Sequence, residues 1–165
     1  MFDIITFGSA AMDIIVRPKK LTSLAYNKES GNSKKICLDI GSKVDVDSIE
    51  FSSGGGGTNT AATFANQGFK TAFVGAVGDD DFGKNIIKEL KGLKVDTTFV
   101  VVSKEKPTNS SMVILNQEND RTILAYRGAS ECLPKDKIPF KKLKTKWLYL
   151  APMTGELCRN FQDIV

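Results

Sequence analysis

Apolar residues in this chain come in short runs, many closed by glycine, and the runs switch between a period of two and a period near four. "DIITFG" (Asp3–Gly8) reads as a buried strand stopped by glycine, and "SAAMDIIVRP" continues with Asp13 interrupting an apolar stretch that breaks at Pro18. From Leu21 to Ser33 the composition is polar and predicts a loop. "KICLDI" (Lys35–Ile40) and "KVDVDSIEF" (Lys43–Phe51) predict strands around a turn at Gly41-Ser42, although Val44, Val46 and Ile49 fall off strict alternation. "TNTAATFANQG" (Thr58–Gly68) predicts a short helix closed by Gly68, and "TAFVGAVG" (Thr71–Gly78) a strand. "DDDFGKNIIKELKG" places Phe82, Ile86, Ile87 and Leu90 on one helical stripe, with acids at its start and lysines near its end. "TTFVVV" and "WLYLA" predict strands, "SSMVILN" with "RTILAYRG" a hairpin around Gln117–Asp120, "PKDKIPFKKL" a helix, and "TGELCRNFQDIV" the opening of another.

Strand and helix alternate through most of the chain, which implies one α/β domain over residues 1–165 with a largely parallel central sheet flanked by helices. The strands near 14–17, 35–51 and 109–127 break that rhythm and predict a separate small β-sheet with one apolar face left uncovered. The chain stops at Val165 inside a helical pattern with no closing cap, as a cut end would.

Composition narrows the classes further. At 41% hydrophobic and 25% charged the 165 residues form an ordinary globular mixture that can bury a core. No run approaches the ~20 apolar residues of a membrane span, and Met1 opens directly onto a strand pattern, so the expectation is a cytoplasmic protein with neither membrane nor signal segment. Three dispersed cysteines, Cys37, Cys132 and Cys158, and no histidine leave no material for a zinc site. The lysines of "KKLKTK" (Lys141–Lys146) are not interleaved with stacking aromatics, so they read as a solvated face and not as a nucleic-acid patch.

The most informative stretch is "FSSGGGGTNTAATFANQG" (Phe51–Gly68). Four consecutive glycines cost order, about 0.5–1 kcal/mol each relative to alanine in regular structure. They point to a tight turn, to a ligand against main-chain N–H groups, or to packing alone. A phosphate-binding P-loop needs Gly-Lys-Ser or Gly-Lys-Thr, which is absent, and the dinucleotide fingerprint fails because its third glycine position falls on Asn59 or Thr60. What remains is a strand-end turn into a helix N-terminus with the Asn59 amide beside it, a donor-rich arrangement suited to a neutral ligand with many hydroxyls. Asn59 as a plain helix cap is the competing reading.

"GGGGTNTAATFANQGFKTAFVGAVGDDDFG" resembles the N-terminal signature of the PfkB, or ribokinase-like, carbohydrate kinases, with Gly54, Gly55, Asn59, Ala61, Gly68 and Gly78 in register. "FGSAAMDIIV" resembles the family's first strand with its sugar-binding aspartate at Asp13, and "PTNSSMVILNQENDRTILAYRGA" its lid and hairpin. The resemblance implies a ribokinase-like fold whose small sheet is the lid, with the C-terminal part of the fold absent. It also implies that Asp13, Gly55, Gly56, Gly57, Asn59 and Ser111 bind a sugar. Asp79, Asp80 and Asp81 are read as capping residues.

Two positions depart from the family pattern. Ala11 stands where ribokinases carry an asparagine two residues before the aspartate. No G-A-G-D element with the catalytic aspartate occurs, so no catalytic residue and no metal ligand is assigned. The expectation is the sugar-binding half of an ATP- and Mg2+-dependent kinase, inactive alone, with a homodimer formed through the lid. The alternatives are a non-catalytic sugar-binding module and a nucleoside kinase fragment.

Overall fold

The computed structural model describes residues 1–28, 31–153 and 155–159. Its centre is a four-stranded sheet in the order β10-β1-β6-β7, formed by Thr145–Leu150, Phe2–Phe7, Thr71–Gly78 and Val100–Ser103, with every neighbouring pair parallel. All eight residues of β6 are buried, as a parallel strand covered on both faces requires. Alternation along β6 splits the core in two. Ala72, Val74 and Ala76 pack with Ile5, Phe7 and Leu133, whereas Phe73 and Val77 pack with Ala61, Ile86 and Leu90.

The second of those layers is supplied by α1 (Gly56–Asn66) and α2 (Asp81–Gly92). Gly68 follows α1 with φ +88°, the left-handed residue expected just past a helix end. α2 buries Gly83, Ile86 and Leu90 along one stripe. The other face of the sheet is covered differently from expectation. Pro134–Leu143 is not an α-helix but holds 3-10 turns at Lys135–Lys137 and Phe140–Lys142. Pro139 removes a donor and clashes with the preceding turn, and Ile138, Phe140 and Leu143 are spaced for an irregular strap across the core.

A second sheet, separate from the first, has the order β5-β2-β8-β9 (Val46–Gly54, Ala11–Pro18, Asn109–Leu115, Arg121–Tyr126). β2 is antiparallel to β5 and parallel to β8, and β8 and β9 form the expected hairpin. β5 runs past its expected end at Phe51 to Gly54, directly into the glycine run. The expected loop over Leu21–Ser33 is instead largely strand: β3 (Thr22–Lys28) pairs with β4 (Gly31–Cys37) as a two-stranded ribbon. The polar composition that predicts a loop is equally compatible with backbone pairing, which is what joins the two strands. "KICLDI" contributes only Lys35–Cys37 to β4, leaving Leu38 and Ile40 exposed. α3 (Gly155–Arg159) lies within the expected last helix, whose remaining residues fall outside those described.

β1 leads through Gly8–Ala10 into β2, and β7 leads through residues 104–108 into β8. The second sheet therefore springs from the C-terminal ends of the central strands, where open α/β sheets bind their ligands.

Candidate functional site

Three strands of the second sheet bring short polar side chains into one row. Asp13 on β2 is in register with Ser52 on β5 and with Ser111 on β8, so all three project from the same face. Asp13 is half-buried, and its carboxylate has no hydrogen-bond or ion-pair partner among the described residues. Two positions along the same face come Ala11, Gly54 and Asn109, again in register.

The glycine run turns this row into the start of α1. A side chain on Gly54 would strike the Asp13 carboxylate, so that carboxylate lies against the peptide entering the helix. Gly55 has φ +107° and sits against the Ser9 carbonyl, a backbone state and a close approach that both require glycine. Gly57 lies against Phe73 and Gly8 in the core, and its carbonyl accepts from the Thr6 hydroxyl at 3.1 Å.

The first N–H groups of α1 are not all open. Gly56 N donates to Ser9 Oγ at 3.2 Å, and Gly57 N and Thr58 N donate to Ser9 O at 3.1 and 3.4 Å. Ser9, in the connection between β1 and β2, thus caps a helix that has no side-chain cap of its own. The Gly55 N–H has no acceptor among the described residues. Asn59 is the fourth residue of α1, exposed, with its N–H in the intrahelical bond to Gly55 O and its side chain without a partner among the described residues. It is therefore not a cap. The structure joins Asp13, Ser111 and Gly54 directly, with Gly55 next in line, while Asn59 stands one turn along the helix with no hydrogen bond to Asp13.

A polar joint fixes the second sheet to the body. Asp80, the N-cap of α2, accepts from Gly83 N at 2.8 Å, from Thr108 Oγ1 at 2.7 Å and from Thr108 N at 2.7 Å. Burial pushes the Asp80 carboxyl up, but those bonds from Thr108 and Gly83, with Lys84 nearby, outweigh it and hold the group below the ordinary aspartate value. The buried Ser130 hydroxyl accepts from Ala10 N and reaches the carbonyls of Ala10 and Ala76. Asn109 Oδ1 accepts from both Gly128 N and Ser130 N at 3.0 Å. A cavity of about 460 Å³ lined by Asp80, Phe82, Thr108, Ser110 and Tyr126 lies on the face opposite Asp13.

Asp80 occupies the capping position expected of it, and Asp81 stands in the first turn of α2. Ser9, Asn109 and Ser130 are not singled out in the sequence, because each acts through partners distant in the chain; Ser9 and Asn109 lie inside the stretches that resemble the family but at positions to which the resemblance assigns no role. Among the described residues no group of acidic, cysteine or histidine side chains could hold a metal ion, and the α1 amides nearest the site are shared with Ser9. The residues present do not fit a metal–nucleotide group. No described helix is long and apolar enough to cross a membrane.

Comparison with known proteins identifies the family and the fold. Residues 1–152 match the profile described as pfkB family carbohydrate kinase. A ribokinase of Staphylococcus aureus is 29% identical over 103 residues, 61% of this chain and 34% of that protein. A 5-dehydro-2-deoxygluconokinase of Geobacillus kaustophilus is 36% identical over 75 residues, 45% of this chain and 22% of that protein. The chain thus matches about a third or less of the length of these relatives. Among solved structures, Arabidopsis thaliana ribokinase complexed with ribose and ATP superposes with a TM-score of 0.62 at 27% identity, over 78% of this chain and 36% of that one. The ribokinase of Giardia lamblia shares the fold with a TM-score of 0.76 at 19% identity, covering 99% of this chain and 45% of its own.

Proposed function

The chain belongs to the pfkB family of carbohydrate kinases, and from that premise we propose that its second sheet and the start of α1 form the sugar-binding side of an ATP-dependent sugar kinase. One observation carries the reading: a half-buried carboxylate, Asp13, has no partner among the described residues, stands in register with the Ser111 hydroxyl, and abuts the glycine turn into α1. A carboxylate accepts from two neighbouring hydroxyls, and such charge-assisted bonds are about twice as strong as neutral ones. Ser111 and the Asn59 amide both donate and accept, and Gly55 offers its N–H. Gly56 and Gly57 contribute by letting the ligand approach bare backbone, their N–H groups being shared with Ser9.

The family's reaction passes the γ-phosphoryl group of ATP, with Mg2+, to a sugar hydroxyl. In this reading the general base and the nucleotide site lie outside these 165 residues, so the present chain holds and orients the acceptor but does not turn over. The second sheet serves as a lid in a cytoplasmic enzyme. Its opposite face carries Ile14, Phe51, Met112 and Leu124 in one register row, with Phe51 and Leu124 about 60% exposed, and that apolar row pairs with the lid of a second copy.

Calorimetry with pentoses, hexoses, sugar acids and nucleosides tests the site. We expect a sugar to bind the complete natural protein and Asp13→Asn to weaken it at least about tenfold, the scale of a lost charge-assisted bond. Coupled ADP release tests the chemistry, with no turnover expected from the isolated chain. Binding that ignores Asp13→Asn would refute the site, and turnover by the isolated chain would refute the placement of the base.

A further inference from the structure

The geometry points to Asn109 as a specificity-determining residue that donates a hydrogen bond to the sugar beside Asp13, an inference that rests on the sugar site proposed above. Asn109 opens β8 in register with Ala11 and lies on the same face as Asp13 and Ser111. Its Oδ1 accepts from Gly128 N and Ser130 N, both at 3.0 Å. Because both partners are N–H donors, they cannot face the NH2 end of the amide, so its orientation is fixed. The two Nδ2 hydrogens then point away from that anchor and meet no acceptor among the described residues.

The neighbourhood leaves them room. Ala11 presents only a methyl group beside Asn109, and Gly54, completing the row, presents nothing. Sheet spacing puts the Asn109 and Asp13 backbones about 8 Å apart, two residues along and one strand across. Side chains from those positions can reach both ends of a monosaccharide's hydroxyl array. Asp13 can only accept when ionised and the Asn109 NH2 can only donate, so the pair selects a sugar with one hydroxyl given to Asp13 and a second oxygen, hydroxyl or carbonyl, that accepts. A longer side chain at position 11 would fill this space. Alanine there makes the amide of the neighbouring strand the group that reads that oxygen.

Asn109→Asp separates this role from the structural one. It is isosteric and keeps an acceptor for Gly128 and Ser130, but it replaces the donors with a second acceptor. The test measures affinity of the complete natural protein for D-ribose, D-fructose and their monodeoxy analogues, with a thermal melt of each variant. For the sugar that binds best, we expect Asn109→Asp to lose about tenfold or more in affinity while the melting temperature holds. One monodeoxy analogue, lacking the contacted hydroxyl, should bind wild type and variant equally. If Asn109→Asp does not fold, Asn109→Ser, whose hydroxyl can still accept from the Gly128–Ser130 backbone but is too short to reach the sugar from there, provides the comparison. Unchanged affinity in a folded variant overturns the inference and leaves Asn109 an anchor only. If Asp13→Asn weakens binding while the Asn109 variants do not, this inference alone falls. If wild type binds none of the sugars, the sugar site falls and the inference with it.

Discussion

Alanine at Gly54 and at Gly57 should produce opposite kinds of damage, although the two glycines are three residues apart. At Gly57 a Cβ would lie 2.6 Å from Phe73 Cε2 and 2.8 Å from two backbone atoms of Gly8. Carbon contacts are comfortable at about 3.5–4.0 Å, so the overlap is about 1 Å on three atoms at once. None of them can retreat: Phe73 is fully buried, and Gly8 is tied by its N–H to Val74. Overpacking of this kind costs about 1–3 kcal/mol, and the rigid surroundings put Gly57→Ala at the upper end. For a domain of this size that is a fall of roughly 6–12 °C in melting temperature. At Gly54 the new Cβ meets the Asp13 carboxylate instead, with Cγ at 3.0 Å. That carboxylate ends a rotatable side chain with no partner among the described residues, so it swings aside for about 0.5–1.5 kcal/mol. Gly54→Ala should melt within about 1–6 °C of wild type while its sugar affinity falls as in Asp13→Asn. Scanning fluorimetry and calorimetry on the same preparations give both quantities. Gly54→Ala with full sugar affinity, or a greater loss of stability than in Gly57→Ala, would refute the reasoning.

Asp80 makes stability depend on acid. Its pKa is lowered in the fold, so the stability it contributes is present above the ordinary aspartate value of 3.8 and is lost as pH falls through the lower folded value. Asp3, held low first by its hydrogen bond from Lys146 and then by the Lys70 N–H, contributes in the same direction. Melting temperature should therefore drop below about pH 4. Asp80→Asn should cost about 1–2 kcal/mol at neutral pH, the scale of a lost cap, and flatten the acid limb; an unchanged acid limb would exclude Asp80 as its source. Leu124→Lys should abolish pairing through the apolar face of the second sheet without lowering the melting temperature of the monomer. Light scattering that finds the variant and wild type equally dimeric, or wild type monomeric at all concentrations, would exclude that interface.

Much of the body was legible because its signals are redundant. β6 is an uninterrupted apolar run, α2 combines a stripe of period near four with an aspartate cap, and Gly68 marks the end of α1. Where only one signal existed, the reading went astray. The β3–β4 ribbon is mostly polar in sequence, and the apolar residues of Pro134–Leu143 suggest a helix that Pro139 forbids. At the site, the four glycines showed that bare backbone was needed but not why. Gly54 makes room for Asp13, Gly55 turns the chain, and Gly57 admits Phe73, three demands that only tertiary contacts distinguish. The free amides expected at the head of α1 are partly taken by Ser9, a residue far from the glycine run in the chain. The pairing of Asp13 with Ser111 depends on the parallel register of β2 and β8, and no local pattern encodes a parallel register.

The way the two sheets are joined bears on how such a site works. Asp13, Ser111 and Asn109 ride on the second sheet, whereas Asn59 belongs to α1 and Gly55 immediately precedes it, and α1 packs on the central sheet. Any ligand touching both sets spans the joint, so its affinity depends on the angle between them. Met12 supplies a buried apolar anchor at that joint, but the bonds that set direction are polar: Asp80 to Thr108, Ser130 to Ala10 and Ala76, Asn109 to Gly128 and Ser130. Polar bonds fix angles where apolar packing, being non-directional, fixes mainly distance. Ser130 and Thr108 are also buried with their hydroxyls satisfied, so changing the angle means breaking bonds that water cannot readily replace. The Thr108–Asn109 step that opens β8 places an amide in the candidate site and ties the same strand to the body on either side. Position in the site and position of the sheet are therefore set by neighbouring residues of one strand, and neither can drift without the other.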